Sequence, residues 1–184
     1  MIALSTLTIS KNMNLSLPFI ALGIFLIVPF ARGDTPSWLP ATTAFQAVNE
    51  KTFVPFYRET NEPDPADHRV AIRTDRHGVA PSAAELTFQG AAGRYQVTLQ
   101  TIAEEDGESA YEVLVNGHSL GQKTNPPTEQ KRLRTALTFA PATLVPGDKI
   151  RVVFTGASNR KIPENEGFAH ARGRWRGLEL VLLP

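Results

Sequence analysis

Residues 93–121, GRYQVTLQTIAEEDGESAYEVLVNGHSLG, decide how this chain is read. Tyr95, Val97 and Leu99 alternate with Gln96, Thr98 and Gln100, the period of two expected of a strand with one buried face. An acidic turn, Glu104-Glu105-Asp106-Gly107-Glu108, interrupts the alternation, and Tyr111, Val113 and Val115 resume it with Glu112 on the opposite face. Asn116-Gly117 suits a two-residue type I′ turn, which needs positive φ at both central positions. His118-Ser119-Leu120 is then the return strand. The whole stretch reads as strand, acidic turn, strand, tight turn and short strand.

The same punctuation continues outward in both directions. Upstream, residues 34–43 form a proline-punctuated lead-in, and residues 44–48 and 52–57 read as short strands. Pro55 makes the second an edge strand or puts a bulge in it. Residues 59–67, ETNEPDPAD, are a polar loop. Residues 68–73 place Val70 and Ile72 on one face and Arg69 and Arg73 on the other. Residues 74–81 read as a loop and 84–88 as a strand. Downstream, residues 122–131 contain Pro126-Pro127 and read as irregular, while residues 133–139 alternate through Leu137 and Phe139. Pro146-Gly147-Asp148 is a turn by its chemistry, proline presetting φ and glycine accepting a positive one. Residues 149–155 send Ile150, Val152 and Phe154 inward, residues 157–176 are a long loop, and residues 178–182 close the chain as an apolar strand. No segment beyond the leader shows sustained helical spacing with caps. About nine or ten short strands separated by turns predict an all-β, antiparallel β-sandwich.

Composition bounds the function. Lys11, the apolar run of residues 15–30 and the small-x-small ending Ala31-Arg32-Gly33 have the layout of a signal peptide over residues 1–33. An uncleaved anchor is the rival, but the run is shorter than the ~20 apolar residues of a spanning helix, and Pro18 and Pro29 bracket it. The reading is therefore of an exported protein (extracellular, periplasmic or cell-surface) with no stable membrane insertion after cleavage. Residues 34–184 then make one domain. The chain has 19 basic and 18 acidic residues, and Lys11 and Arg32 both lie in the leader, so the remainder carries a formal charge of −1. Nothing in that balance favours nucleic acid or an anionic membrane. With no cysteine, an exported chain has no disulfides to stabilise it.

Gly93-Arg94-Tyr95-Gln96-Val97-Thr98-Leu99, then residues 111–117, then Leu144-Val145-Pro146-Gly147-Asp148-Lys149-Ile150-Arg151-Val152 are ordered as in a known family. The run resembles the G-x-Y-x-V-x-L … V-x-V-N-G … L-x-x-G-x-x-x-I-x-V pattern of carbohydrate-binding modules with the galactose-binding-like jelly-roll fold. The similarity covers roughly residues 84–182 and lies mostly in strands and turns, so it bears on fold more than on function. It implies a non-catalytic glycan-binding domain, often with a structural calcium and frequently attached to a secreted carbohydrate-active enzyme. One common site in those modules uses aromatic residues at loop tips to stack on sugar rings.

The loop of residues 159–176 is the first candidate site. Its arginines suit an anionic ligand, because guanidinium groups pair bidentately with carboxylate or sulfate. An acidic or sulfated glycan would meet Trp175 or Phe168 as a platform, Arg172, Arg174 and His170 as cations, and Asn159 and Glu164 as partners for its hydroxyls. If residues 172–176 are extended, Trp175 turns to the core and Arg172, Arg174 and Arg176 share the other face. The bland alternative is a solvated loop whose arginines pair with acids and whose aromatics plug the sandwich. The second candidate is calcium at Glu104, Asp106 and Glu108, which project together if the turn is extended, against a soluble charged hairpin tip. Arg58, Glu59, Asn61 and Glu62 read as surface. Catalytic signals are poor: the four histidines have no ligand spacing, and no nucleophile elbow or phosphate loop is present. The competing functions are a structural or adhesion module for a protein partner and, third, a small polysaccharide hydrolase or lyase.

Overall fold

A computed structural model describes residues 37–48 and 56–184. The expected leader and nearly all of the expected 52–57 strand lie outside the described residues. Fourteen strands are assigned. They are β1 (Ser37–Pro40), β2 (Gln46–Ala47), β3 (Tyr57–Glu59), β4 (Arg69–Ala71), β5 (Ser82–Thr87), β6 (Gly93–Ala103) and β7 (Ala110–Val115). There follow β8 (His118–Thr124), β9 (Leu133–Thr138), β10 (Ala142–Leu144), β11 (Lys149–Phe154), β12 (Pro163–Glu164), β13 (Gly167–Phe168) and β14 (Trp175–Leu182).

Two antiparallel sheets face each other. The larger has seven strands, in the order β10-β6-β14-β4-β3, with β9 also on β6 and β1 also on β14. The smaller runs β2-β5-β11-β7-β8. The period-two residues of both meet in one core: Val97, Leu99, Leu178 and Leu180 from the larger, and Val113, Ile150, Val152 and Phe154 from the smaller. Trp175 is fully buried there, edge-on to Phe45 at 4.9 Å and to Phe154 at 5.8 Å between ring centroids.

The tight turns form as their chemistry requires. Asn116 and Gly117 have φ of 49° and 82°, the positive pair of a type I′ hairpin joining β7 to β8. Gly147 has φ of 99°, and Asp148 N–H donates to the Val145 carbonyl at 3.1 Å. Asp148 and Asn116 join the two turns: the Asn116 amide donates to Asp148 Oδ1 and its oxygen accepts from the Lys149 N–H, each at 2.9 Å.

The structure departs from the sequence reading at several places. Most important, β6 and β7 are not partners. They lie in different sheets, so residues 104–108 are a crossover between layers and not the tip of a hairpin. Alternation along each strand is the same either way, and only the turn distinguishes the cases. This one is pinned by Gly107, where a Cβ would lie 2.2 Å from the Ala157 carbonyl oxygen. The lead-in pairs as β1 on β14, β8 extends to Thr124 into the stretch read as irregular, and residues 74–77 form one helical turn. The long loop carries the β12–β13 ribbon, and β14 starts at Trp175. Arg69, expected on the solvent face of its strand, is 5% exposed.

Gly107→Ala is expected to destabilise the fold by about 1–3 kcal/mol, the usual penalty of overpacking. Denaturant unfolding of the variant beside Gly117→Ala measures it, since nothing lies within 4 Å of a Cβ at Gly117 and only its positive φ opposes the change.

Candidate functional site

At one end of the sandwich β6 ends, β7 begins, β11 ends and β14 begins. The segment leading into β14 threads between its neighbours: Ile72 N–H donates to the Arg172 carbonyl at 2.8 Å and Ile102 N–H to the Arg174 carbonyl at 3.0 Å. Gly173, at φ of 61°, gives its N–H to Ser109 Oγ at 3.0 Å and leaves no room for a Cβ, which would sit 2.9 Å from the Thr155 carbonyl. Arg172, Arg174 and Arg176 therefore leave the chain in a row, toward β3, β4 and the loop that joins them.

That row meets a matching one. Arg174 is 5% exposed. Its Nε and Nη2 donate to the Glu59 carboxylate at 2.9 and 3.2 Å, and its Nη1 pairs with Glu104 Oε1. Glu104 Oε2 accepts from the Arg172 backbone N–H at 2.8 Å. Glu59 also takes the Tyr57 hydroxyl at 2.8 Å, and Arg69 Nε approaches it at 3.6 Å. Arg69 pairs on its other side with Glu62, which also holds Arg132 at 3.2 Å. Burial, the largest single influence, raises the Glu59 pKa, but the hydrogen bonds and charge of Arg174, the Tyr57 hydroxyl and the charge of Arg69 together outweigh it and hold the carboxyl below the usual range. Arg176 donates to the Ala66 carbonyl at 2.8 Å and lies 3.5 Å from Asp67.

Two open cavities adjoin this network, and a third shares walls with the second. One, of about 520 Å³, is lined by Tyr57, Glu59, Asn61, Arg132, Arg172 and Arg174. The second, of about 430 Å³, has Asp75, Glu164, Phe168, His170 and Arg172 on its walls. The third, of about 480 Å³, is bounded by Val79, Ser158, Arg160, Phe168 and His170. Arg172 belongs to the first two, and Phe168 and His170 to the last two, so the three make one branched groove. Phe168 sits on β13, paired with Pro163 of β12, and is 42% exposed.

The residues expected from sequence thus separate. Glu164, Phe168, His170 and Arg172 come together in the groove. Asn159 does not: its amide donates to the Glu105 carbonyl at 2.9 Å and its oxygen caps the Lys161 N–H, so it ties the loop to the crossover. Arg174 reaches the groove wall with every guanidinium nitrogen already paired. Trp175 is fully buried and offers no face to a ligand, which corrects its expected place in the site; of the two aromatics expected as a platform, Phe168 is the exposed one. The expected calcium triad is also not assembled. Glu104 is turned inward onto Arg174, Asp106 is half-buried, and among the described residues no group of three or more His, Cys, Asp or Glu is arranged to hold a metal ion. Asp106 Oδ1 is buried without a hydrogen bond, and burial, with the charges of Glu105 and Glu164, raises its pKa. Glu59, expected at the surface, is at the centre. Its signal in the sequence was the i, i+2 spacing of Tyr57 and Glu59, which puts both on one face of a strand.

No family model matches the chain, and no curated protein matches it significantly. Solved structures do. A family 35 carbohydrate-binding module from Clostridium thermocellum matches with a TM-score of 0.54 at 13% identity, over 81% of this chain and 99% of the module. Another, from Paenibacillus barcinonensis, gives 0.51 at 15% identity over 80% and 98%. A Podospora anserina β-(1,4)-mannanase carrying such a module gives 0.54 at 12% identity, over 83% of this chain but 28% of the enzyme. The chain has the jelly-roll sandwich fold of these modules. Identity this low establishes fold alone.

Two outcomes follow from the buried charges. Arg174→Ala strands Glu59 and Glu104 and is expected to cost about 3–5 kcal/mol, so this variant unfolds in urea well before wild type whatever the groove binds. Asp106→Asn is expected to raise the melting temperature at neutral pH. The folded carboxyl has a raised pKa, so its ionised form is disfavoured above that value. The advantage should vanish below the unfolded carboxylate pKa, where both states bind the proton. Melting curves of both chains between pH 3 and 8 test the sign.

Proposed function

We propose that this chain is a non-catalytic glycan-binding domain that takes an acidic or sulfated glycan in the groove of residues 159–176. Exposed Phe168 carries the reading. An aromatic ring held out on a short ribbon, at the junction of two cavities, is a platform for the apolar face of a sugar ring. Around it stand a cation at Arg172, a carboxylate at Glu164 able to accept from sugar hydroxyls, and His170. The fold shared with carbohydrate-binding modules supports the same reading. Export fits it too: the apolar run of residues 15–30 suits a chain that works on polysaccharide outside the cell. The proposal assigns glycan binding to side chains and does not depend on calcium.

The test is affinity electrophoresis of the chain from residue 34 through gels with neutral, uronic-acid or sulfated polysaccharide. Retardation is expected in a charged gel. Phe168→Ala should weaken it by about 1.5–3 kcal/mol, the value of burying the ring, which is roughly tenfold or more in Kd. Unchanged mobility in every gel would rule the proposal out.

A further inference from the structure

Arg172 and Arg174 leave the chain two residues apart and on the same side, yet they are used in opposite ways. Arg174 has all three guanidinium nitrogens committed to Glu59 and Glu104. Arg172 has one committed: Nη1 donates to the Tyr57 hydroxyl oxygen at 2.7 Å. Among the described residues, no acceptor is hydrogen-bonded to its Nε or Nη2, and no carboxylate lies within ion-pair distance of it. Tyr57 gives its own hydroxyl proton to Glu59 Oε1 at 2.8 Å. A phenol has a single proton to donate, so toward Arg172 it can only present a lone pair. The guanidinium is thereby oriented by a neutral group. A carboxylate in that place would orient it equally well but would also cancel its charge.

We infer that Tyr57 is a positioning residue which presents the open Nε–Nη2 edge of Arg172, free of any ion-pair contact among the described residues, as the receptor for a carboxylate or sulfate of the ligand; this rests on the glycan reading above. That edge is a geometry in which a guanidinium pairs with two oxygens of one anion. Arg172 is the wall common to two cavities, so an anion there bridges them and leaves Phe168 to a neighbouring sugar of the same chain. Of the three arginines in residues 172–176 it alone is open, since Arg176 is occupied by Ala66 and Asp67. Tyr57 is fixed from its far side as well: Arg73, paired with Asp75 at 3.0 Å, stacks over its ring at 5.5 Å. The specificity of the groove for charge is therefore set two bonds away from the ligand, by the Glu59–Tyr57–Arg172 relay.

Arginine side-chain ¹⁵N NMR of the chain from residue 34, titrated with sodium sulfate, sodium glucuronate and glucose, reads this directly. The Arg172 Nε–H resonance, identified by its loss in Arg172→Lys, should shift with the two anions and not with glucose. Tyr57→Phe should weaken both anion titrations about tenfold, the loss of one hydrogen bond to a charged group. Arg172→Lys, which keeps the charge and loses the fork, lacks the reporter resonance and is read by calorimetric titration with the same two anions, where it should bind about tenfold more weakly than wild type; this measurement tests the fork if Tyr57→Phe does not fold. An Arg172 resonance indifferent to both anions, or anion affinity equal in wild type and Tyr57→Phe, overturns the inference. A chain retarded by no polysaccharide but showing the sulfate shift, weakened by Tyr57→Phe, sinks the glycan reading and keeps the anion receptor.

Discussion

The loop end of this sandwich depends on one buried cation. Arg174 stands between Glu59 of β3 and Glu104 of the crossover, and those two carboxylates belong to segments with no shared strand pairing. Its charge leaves the pair short by one, and the remainder is answered outward: Glu59 meets Arg69, Arg69 meets Glu62, and Glu62 meets Arg132. Side-chain exposure is lowest at the Glu104 end of that chain, about 5%, and highest at its outer end, 47% at Arg132. The alternation of sign lets burial proceed without an isolated charge in low dielectric. Against well-packed apolar residues of the same shape such a network adds little net stability. Its consequence is registry: it decides which segment lies beside which.

Two glycines make that registry possible. The crossover, residues 155–158 and residues 171–174 approach too closely for side chains, as the contacts at Gly107 and Gly173 show. Backbone stacked on backbone is what brings the Arg172 N–H to Glu104 and the Asn159 amide to Glu105. The groove is thus built over a tightly packed floor, with its variable chemistry on the ribbon and on the arginine row above it.

The strands were legible because their signal is local. Period two names the inner residues of β5, β6, β7, β11 and β14 without any knowledge of partners, and Asn116-Gly117 and Pro146-Gly147-Asp148 fix their turns by backbone chemistry. The sheet assignment of β6 and β7 was not legible. A hairpin and a crossover demand the same alternation, and the discriminating contact, Gly107 on Ala157, spans fifty residues of sequence. The site divides in the same way. Phe168 and Arg172 could be named from one loop. Tyr57 and Glu59 could not be joined to that loop, because their partnership with Arg172 and Arg174 is made across 115 positions. Composition also overstated the charge on offer: a loop rich in arginine reads as an electropositive surface, and two of its arginines, Arg174 and Arg176, are answered by acids elsewhere in the fold.

On the proposed reading, what remains after that subtraction constrains how the groove selects an anion. Bulk attraction cannot discriminate, since the domain from residue 34 carries a formal charge of −1 and Glu164 and Asp75 line the same walls as Arg172. Field strength at a distance falls off within about 10 Å at ordinary salt. Discrimination has to come from contact geometry, which favours an arginine with one edge pinned and one edge open over several flexible lysines. Holding such an arginine without neutralising it requires a neutral acceptor whose own proton is engaged elsewhere. A tyrosine hydrogen-bonded to a carboxylate that is itself tied down by a second, buried arginine meets that requirement. The buried pair and the open one are therefore parts of a single device. Arg174 fixes Glu59, Glu59 fixes the orientation of the Tyr57 hydroxyl, and Tyr57 fixes Arg172.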